Sequence, residues 1–106
     1  MKPREFVETA RKVLDGESWG RERAADEVTD RLSAYSPAQA SALATLLSAA
    51  ATFEMENSAL ESELHAILEL MSTGHISLDH VSPLRNICLG ELPTELREYV
   101  TDLLEG

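Results

Sequence analysis

Ser36-Pro-Ala-Gln-Ala-Ser-Ala-Leu-Ala-Thr-Leu-Leu-Ser-Ala-Ala-Ala-Thr-Phe53 is the stretch from which the fold follows. Ser36 and Gln39 have the spacing of a capping box, and Pro37 occupies the first helical position, where its missing N–H costs nothing. On a helical wheel Ala40, Leu43, Ala44, Leu46, Leu47, Ala50, Ala51 and Phe53 cover well over half the circumference. A helix apolar over so wide an arc is packed by neighbours on several sides, and so predicts a central element. Ser41, Thr45, Ser48 and Thr52 line the remaining sector. They read as a close helix contact or thin solvent-facing edge, or else as a shallow polar groove for a partner. Leu32 to Phe53 carries no charge over 22 residues, a length that raises a membrane helix. Ser36-Pro37 interrupts the run and six Ser or Thr residues dot it, so it reads as a buried helix of a soluble domain.

On either side of this helix the periodicity remains helical, with no sustained strand alternation. A first helix is expected from Pro3 to Leu14, with Phe6, Val7, Ala10, Val13 and Leu14 as its apolar stripe and Gly16 as its stop. A second is expected from about Trp19 to Ala34, weakened at its start by Gly20, with Ala25, Val28, Leu32 and Tyr35 facing inward. Trp19 and Tyr35 read as staples of helix ends, or as exposed aromatic anchors for a partner. Glu54-Met-Glu-Asn-Ser58 turns the chain. Ser58 and Glu61 then suggest a second capping box, opening a fourth helix to about Ser72. Its core stripe is Leu60, Leu64, Ile67, Leu68 and Met71, and Gly74 stops it. From His75 to Cys88 two courses are open. Ser77 caps a short helix that Pro83 interrupts, or Ser82-Pro83 starts a new turn. A last helix is expected from about Pro93 to Leu104. The fold class is therefore all-α: residues 1–106 form a single compact domain of five to six short helices stacked as helical hairpins, HEAT-like or an irregular bundle.

The formal charge is −10, from 9 Lys and Arg against 19 Asp and Glu. That excludes nucleic-acid binding by phosphate neutralisation and polybasic attachment to anionic membranes. The charge is also unevenly placed. Residues 1–36 hold seven basic and eight acidic groups (net −1), whereas residues 37–106 hold Arg85 and Arg97 against eleven acids (net −9). Glu54, Glu56, Glu61, Glu63 and Glu69 follow one another without a basic residue, and Glu91, Glu95, Glu98, Asp102 and Glu105 form a second concentration. Such patches keep a protein soluble, or they face a basic partner and speed its association. The start Met1-Lys-Pro-Arg-Glu-Phe lacks the apolar stretch of a secretory signal, so cytoplasmic residence is expected.

Nothing in the chain has the spacing of an enzyme's machinery. The five glycines are scattered and form no phosphate-binding loop, and there is no Gly-x-Ser-x-Gly elbow. The single cysteine, Cys88, between Ile87 and Leu89, reads as a small buried hydrophobe, and it excludes a disulfide framework. Glu61, His65 and Glu69 climb one flank of the fourth helix at four-residue intervals. That is hydrogen-bonding spacing along a helix surface. It would also serve a metal or acid–base site if facing helices supplied more ligands. No catalytic residue, metal site or cofactor is assigned.

Glu54-Met-Glu-Asn57-Ser-Ala-Leu60-Glu-Ser-Glu63-Leu64-His65-Ala-Ile-Leu68, then Gly74, Leu84 and Leu92-Pro-Thr-Glu-Leu-Arg-Glu-Tyr99-Val-Thr-Asp-Leu-Leu104, resembles the small helical immunity proteins that accompany bacterial polymorphic or contact-dependent toxins. The resemblance covers about the last half of the chain. It implies a stoichiometric inhibitor, with no enzymatic activity of its own, that binds a co-encoded basic toxin in the cytosol. The charge and helical-wheel pattern independently nominates Glu54, Glu56, Glu61, His65 and Glu69 as contacts to such a basic protein partner. The other reading is a helical adaptor or assembly subunit that self-associates or scaffolds a complex. The sequence leaves the oligomeric state open.

Overall fold

The computed structural model describes all residues from Met1 to Gly106 and contains no strand. Its α-helices are α1 (Pro3–Val13), α2 (Ser18–Asp30), α3 (Pro37–Phe53), α4 (Asn57–Met71) and α5 (Thr94–Glu105). Three 3-10 segments complete it: Leu32–Ala34 after α2, the nine-residue Leu78–Asn86, and Leu89–Glu91 before α5. Each helix buries one stripe and cannot close a core alone, so the chain folds back on itself in pairs. α1 pairs with α2, α3 with α4, and Leu78–Asn86 with α5. The first arms of these hairpins lie side by side, as do the second arms, giving two layers of three. The smallest molecular dimension, 19 Å, is two helix diameters. One cluster of 20 buried residues runs through all three hairpins, and the Cα radius of gyration of 12.5 Å is that of a single domain.

The central position expected of α3 is realised. α1 lies on one side, Leu78–Asn86 on the other, and α4 beneath it. The capping box forms: Ser36 Oγ accepts from Gln39 N–H at 3.1 Å, and Gln39 Oε1 accepts from Ser36 N–H at 3.0 Å. The hydroxyl stripe of α3 is a structural contact. In an i to i−3 ladder the His80 carbonyl would accept from residue 83, but Pro83 has no N–H. Thr45 Oγ1 supplies a donor at 2.6 Å. About two turns further along α3, Thr52 Oγ1 lies 2.9 Å from the Pro83 carbonyl. Within His75–Cys88, Ser77 caps a helix as the first reading has it, but Pro83 neither interrupts it nor starts a new turn: the segment runs through Pro83 as one continuous 3-10 helix, Leu78–Asn86.

Several expected core positions prove exposed, each for a local reason. α1 ends after 11 residues while its neighbour α3 continues for 17, so the last turn of α3 overhangs and Phe53 is 82% exposed. Val7 and Leu14 are exposed because α1 is an end helix, covered on one side only. Trp19 does not staple α2; it is 67% exposed, while Tyr35 is buried as expected. Cys88 is exposed rather than buried. Its backbone and that of Ile87 are extended enough to alternate faces, and the half-buried Ile87 and Leu89 take the inner one. α2 stops at Asp30, short of the expected Ala34, and continues as the 3-10 turn Leu32–Ala34. α4 begins at Asn57 with Glu56 at its N-cap, so the Ser58–Glu61 capping box is not made. Gly74 stops α4 with φ +83, a conformation that favours glycine, and its N–H bonds the Met71 carbonyl. No helix is long and apolar enough to cross a membrane.

Thr45→Val preserves shape but removes the donor to the His80 carbonyl at an exposed contact, and is expected to cost about 0.5–1 kcal/mol. Ser36→Ala is expected to cost about 0.5–2 kcal/mol. Urea unfolding of each variant measures both. An unchanged midpoint for Thr45→Val would show that water replaces the hydroxyl without loss.

Candidate functional site

The nominated acidic residues separate into two places. Glu54 is the first residue beyond α3, and its side chain is fully buried. Arg21 of α2 grips it with both ends of its guanidinium, Nε to Oε1 at 2.7 Å and Nη2 to Oε2 at 2.9 Å. The Met55 and Glu56 N–H groups also donate to Glu54 Oε2, at 3.1 and 3.2 Å, which closes the turn into α4. Arg21 Nη1 reaches the Asp15 carbonyl at 2.8 Å. One ion pair therefore ties together the α1–α2 loop, α2 and the α3–α4 turn. Glu54 is occupied here, so it is not an open contact on the acidic surface. Sequence alone hid the pairing because 33 residues separate the partners.

Glu63 also leaves the acidic surface. It is fully buried on α4, facing the Glu54 carboxyl. Burial and the adjacent Glu54 charge push its pKa up to about 9, so Glu63 holds a proton at neutral pH. Two carboxylates would meet acceptor to acceptor and leave both Glu63 oxygens without a donor. A retained proton relieves this at one oxygen, which can then donate to Glu54, and leaves the other Glu63 oxygen a buried acceptor without a donor. Burial alone would raise the Glu54 pKa, but the hydrogen bonds from Arg21, the Glu56 backbone and Glu63 override it and hold the group below its ordinary value. The spacing of Glu63 within the α4 core stripe, one residue before Leu64, was the only sequence signal for its burial.

Glu61, His65 and Glu69 do come together on the outer flank of α4, and Glu56 is exposed at the head of the helix. His65 Nδ1 lies 3.2 Å from the Tyr99 hydroxyl of α5, and its Nε2 is 3.7 Å from Glu69. Burial, together with the charges of Glu69 and Glu61, raises the pKa of Tyr99. No three His, Cys, Asp or Glu side chains converge so as to hold a metal ion. The flank instead borders a groove, which only Glu61 of the three lines, at one end. α5 meets α4 over much less of its length than α2 does, and the space between them is a cleft of about 540 Å³. Leu68 and Met71, expected in the core, form its floor with Tyr99 and Leu103, and Leu68 is 43% exposed as a result. Glu95, Glu98 and Asp102 line it from α5. It continues one way beside Glu61 and Leu96, and the other past Ile76 and Leu78. No lysine or arginine lines any part of it. Arg97, the one arginine of α5, folds back onto the Leu89 and Leu92 carbonyls at 3.2 and 3.0 Å.

Comparison with protein-family models, curated proteins and solved structures finds no match to this chain. The α4–α5 face is thus described by its own chemistry, an apolar floor bordered by the acids of α5 and, at one end, by Glu61.

The buried acids set the pH dependence of stability. Folded Glu63 keeps its proton up to about pH 9, while in the unfolded chain it ionises near the ordinary value of 4.5. Its contribution is complete below that value and is lost as pH rises through the window to about 9, with a slope of at most about 1.4 kcal/mol per pH unit. Glu54 has the opposite sign, and its contribution is lost as pH falls below the ordinary carboxylate range. Glu63→Gln keeps the donor and cannot ionise, so it should flatten the decline between about pH 5 and 9 in chemical denaturation. An unaltered slope contradicts the assignment. Arg21→Ala strands Glu54 and is expected to cost about 2–4 kcal/mol at neutral pH, less in acid where Glu54 can take a proton.

Proposed function

We propose that this chain is a non-enzymatic protein-binding module whose acidic face engages a basic protein, and that it acts in the cytosol as an immunity protein covering a basic surface of a cognate bacterial toxin. The observation that carries this reading is the one-sided charge of the α4–α5 face. Glu95, Glu98 and Asp102 of α5 and Glu61 of α4 line a groove that no lysine or arginine lines, and Glu69 lies nearby on the flank of α4. Like charges at such spacing cost stability within a helix and across a groove. A basic partner converts that cost into attraction and orients the encounter. Glu56, Glu61, His65 and Glu69 are the contacts on this reading, and Glu54 holds the fold beneath them.

The experiment is capture of binding proteins from the native cells, followed by association kinetics with the captured partner, which is expected to be basic. A one-to-one complex is expected, with an association rate that falls steeply as salt rises. The double variant Glu61→Lys, Glu69→Lys should slow association by about tenfold or more at low salt while leaving the helical spectrum intact. An association rate indifferent to both salt and charge reversal removes the reading.

One observation favours a second reading, that of a self-associating adaptor. Phe53 and Met55 are 82% and 86% exposed on either side of Glu54, and the exposed Leu14 shares a cleft with Phe53. Such a cluster is the kind of surface that pairs. Sedimentation separates the two readings: a stable homodimer that Phe53→Ser dissociates favours the adaptor, and a monomer at high concentration favours the immunity reading.

A further inference from the structure

We infer that the α4–α5 groove is a seat for a single cationic amphipathic helix of the partner protein, with the helix's apolar stripe on Leu68, Met71, Tyr99 and Leu103 and its basic residues against Glu61, Glu95, Glu98 and Asp102. This rests on the protein-binding reading above and names the partner element that the face would take. Three features of the groove select this occupant. The floor is apolar, so charge alone does not fill it, and an extended polylysine would leave Leu68 and Met71 wet. The acids border that floor, Glu95, Glu98 and Asp102 along α5 and Glu61 of α4 at the adjoining opening. A matching ligand has cations bordering an apolar stripe, the pattern of an amphipathic helix with anchors at i, i+3, i+4 and i+7. The third feature is length. The openings join end to end, sharing Glu95 and Tyr99 at one junction and Leu68 and Met71 at the other. Their course along the 12 residues of α5 is about 18 Å, room for roughly three helical turns.

An anionic membrane is a poor occupant, because the acidic walls repel its headgroups. A second copy of this chain is the remaining competitor. α1 carries Arg4, Arg11 and Lys12 beside the exposed Val7 and Leu14, but Glu5 and Glu8 dilute its charge, and Arg11 and Lys12 already lie near Glu8 and Glu27. A helix without internal acids complements the groove better.

The test titrates the full chain with three fluorescent peptides of about fourteen residues: a leucine–lysine sequence with helical periodicity, a permutation of it without a stripe, and oligolysine. The periodic peptide should bind one to one, at least about tenfold more tightly than either control, and become helical on binding. Leu68→Ser, at a position exposed enough to keep the fold, and separately Glu98→Lys, should each weaken it by about tenfold. If oligolysine binds equally well and Leu68→Ser has no effect, the groove inference fails while the acidic-face reading stands. The groove inference alone also fails if no peptide binds but charge reversal at Glu61 and Glu69 still slows association with the basic partner protein. If neither experiment shows an effect, the protein-binding reading falls with it. Concentration-dependent self-association that Leu68→Ser abolishes assigns the groove to a second copy and overturns the inference.

Discussion

The grip of Arg21 on Glu54 is the constraint on which the arrangement of the hairpins depends. Glu54 sits where α3 ends, and it satisfies the first two N–H groups of the turn while Arg21 satisfies the carboxylate. The same guanidinium holds the carbonyl of Asp15. Two chain segments, the α1–α2 loop and the α3–α4 turn, therefore converge on one side chain from α2. Gly20 belongs to the same construction: a Cβ there would stand 2.6 Å from the Asp15 carboxyl carbon. Asp15 in turn accepts the Glu17 N–H at 2.8 Å, so the loop folds tightly over the start of α2. A buried pair of this kind is weak evidence for net stability, since desolvation offsets much of the attraction. Its role is specific, because it sets where the first hairpin meets the second.

Glu63 extends this cluster into the core by giving up its own ionisation. A neutral acid beside a carboxylate donates one strong hydrogen bond and adds no second negative charge under α4. The sign of the surface is affected too. With Glu54 neutralised by Arg21 and Glu63 protonated, the negative charge of α4 that remains open is confined to Glu61 and Glu69 on the flank facing α5. The acidic character of the α4–α5 face is thus a matter of which carboxyls the fold leaves exposed, not of how many the chain contains.

Much of the fold was legible. The capping box at Ser36, the wide apolar arc of α3 and the stop at Gly74 are local signals, because the physics behind each acts within a turn or two of helix. They sufficed for the all-α class and the stacking of hairpins. The departures share a cause: helical periodicity reports which side of a helix is apolar, not whether a neighbour arrives to cover it. Leu68 and Met71 lie on a correct core stripe that α5 only partly covers, and Phe53 lies on the arc of α3 beyond the reach of α1. The acidic site was legible in half. Glu61, His65 and Glu69 follow from their four-residue spacing, whereas Tyr99 and the Glu95–Asp102 wall join them only when α5 folds back across the stack.

By itself, then, the sequence determined the helices, their principal punctuation and the excess of acid in the last two-thirds of the chain, all properties of neighbours within a few residues. Tertiary structure alone decided that Glu54 is an internal ion-pair partner, that Glu63 carries a proton, and that the outward acids of α5, with Glu61 of α4, border one apolar groove. The reason is range. A carboxyl group has the same letter in each setting, and whether it becomes a paired anion, a neutral acid or an exposed charge depends on cations, apolar walls and water brought to it by residues far away in the chain.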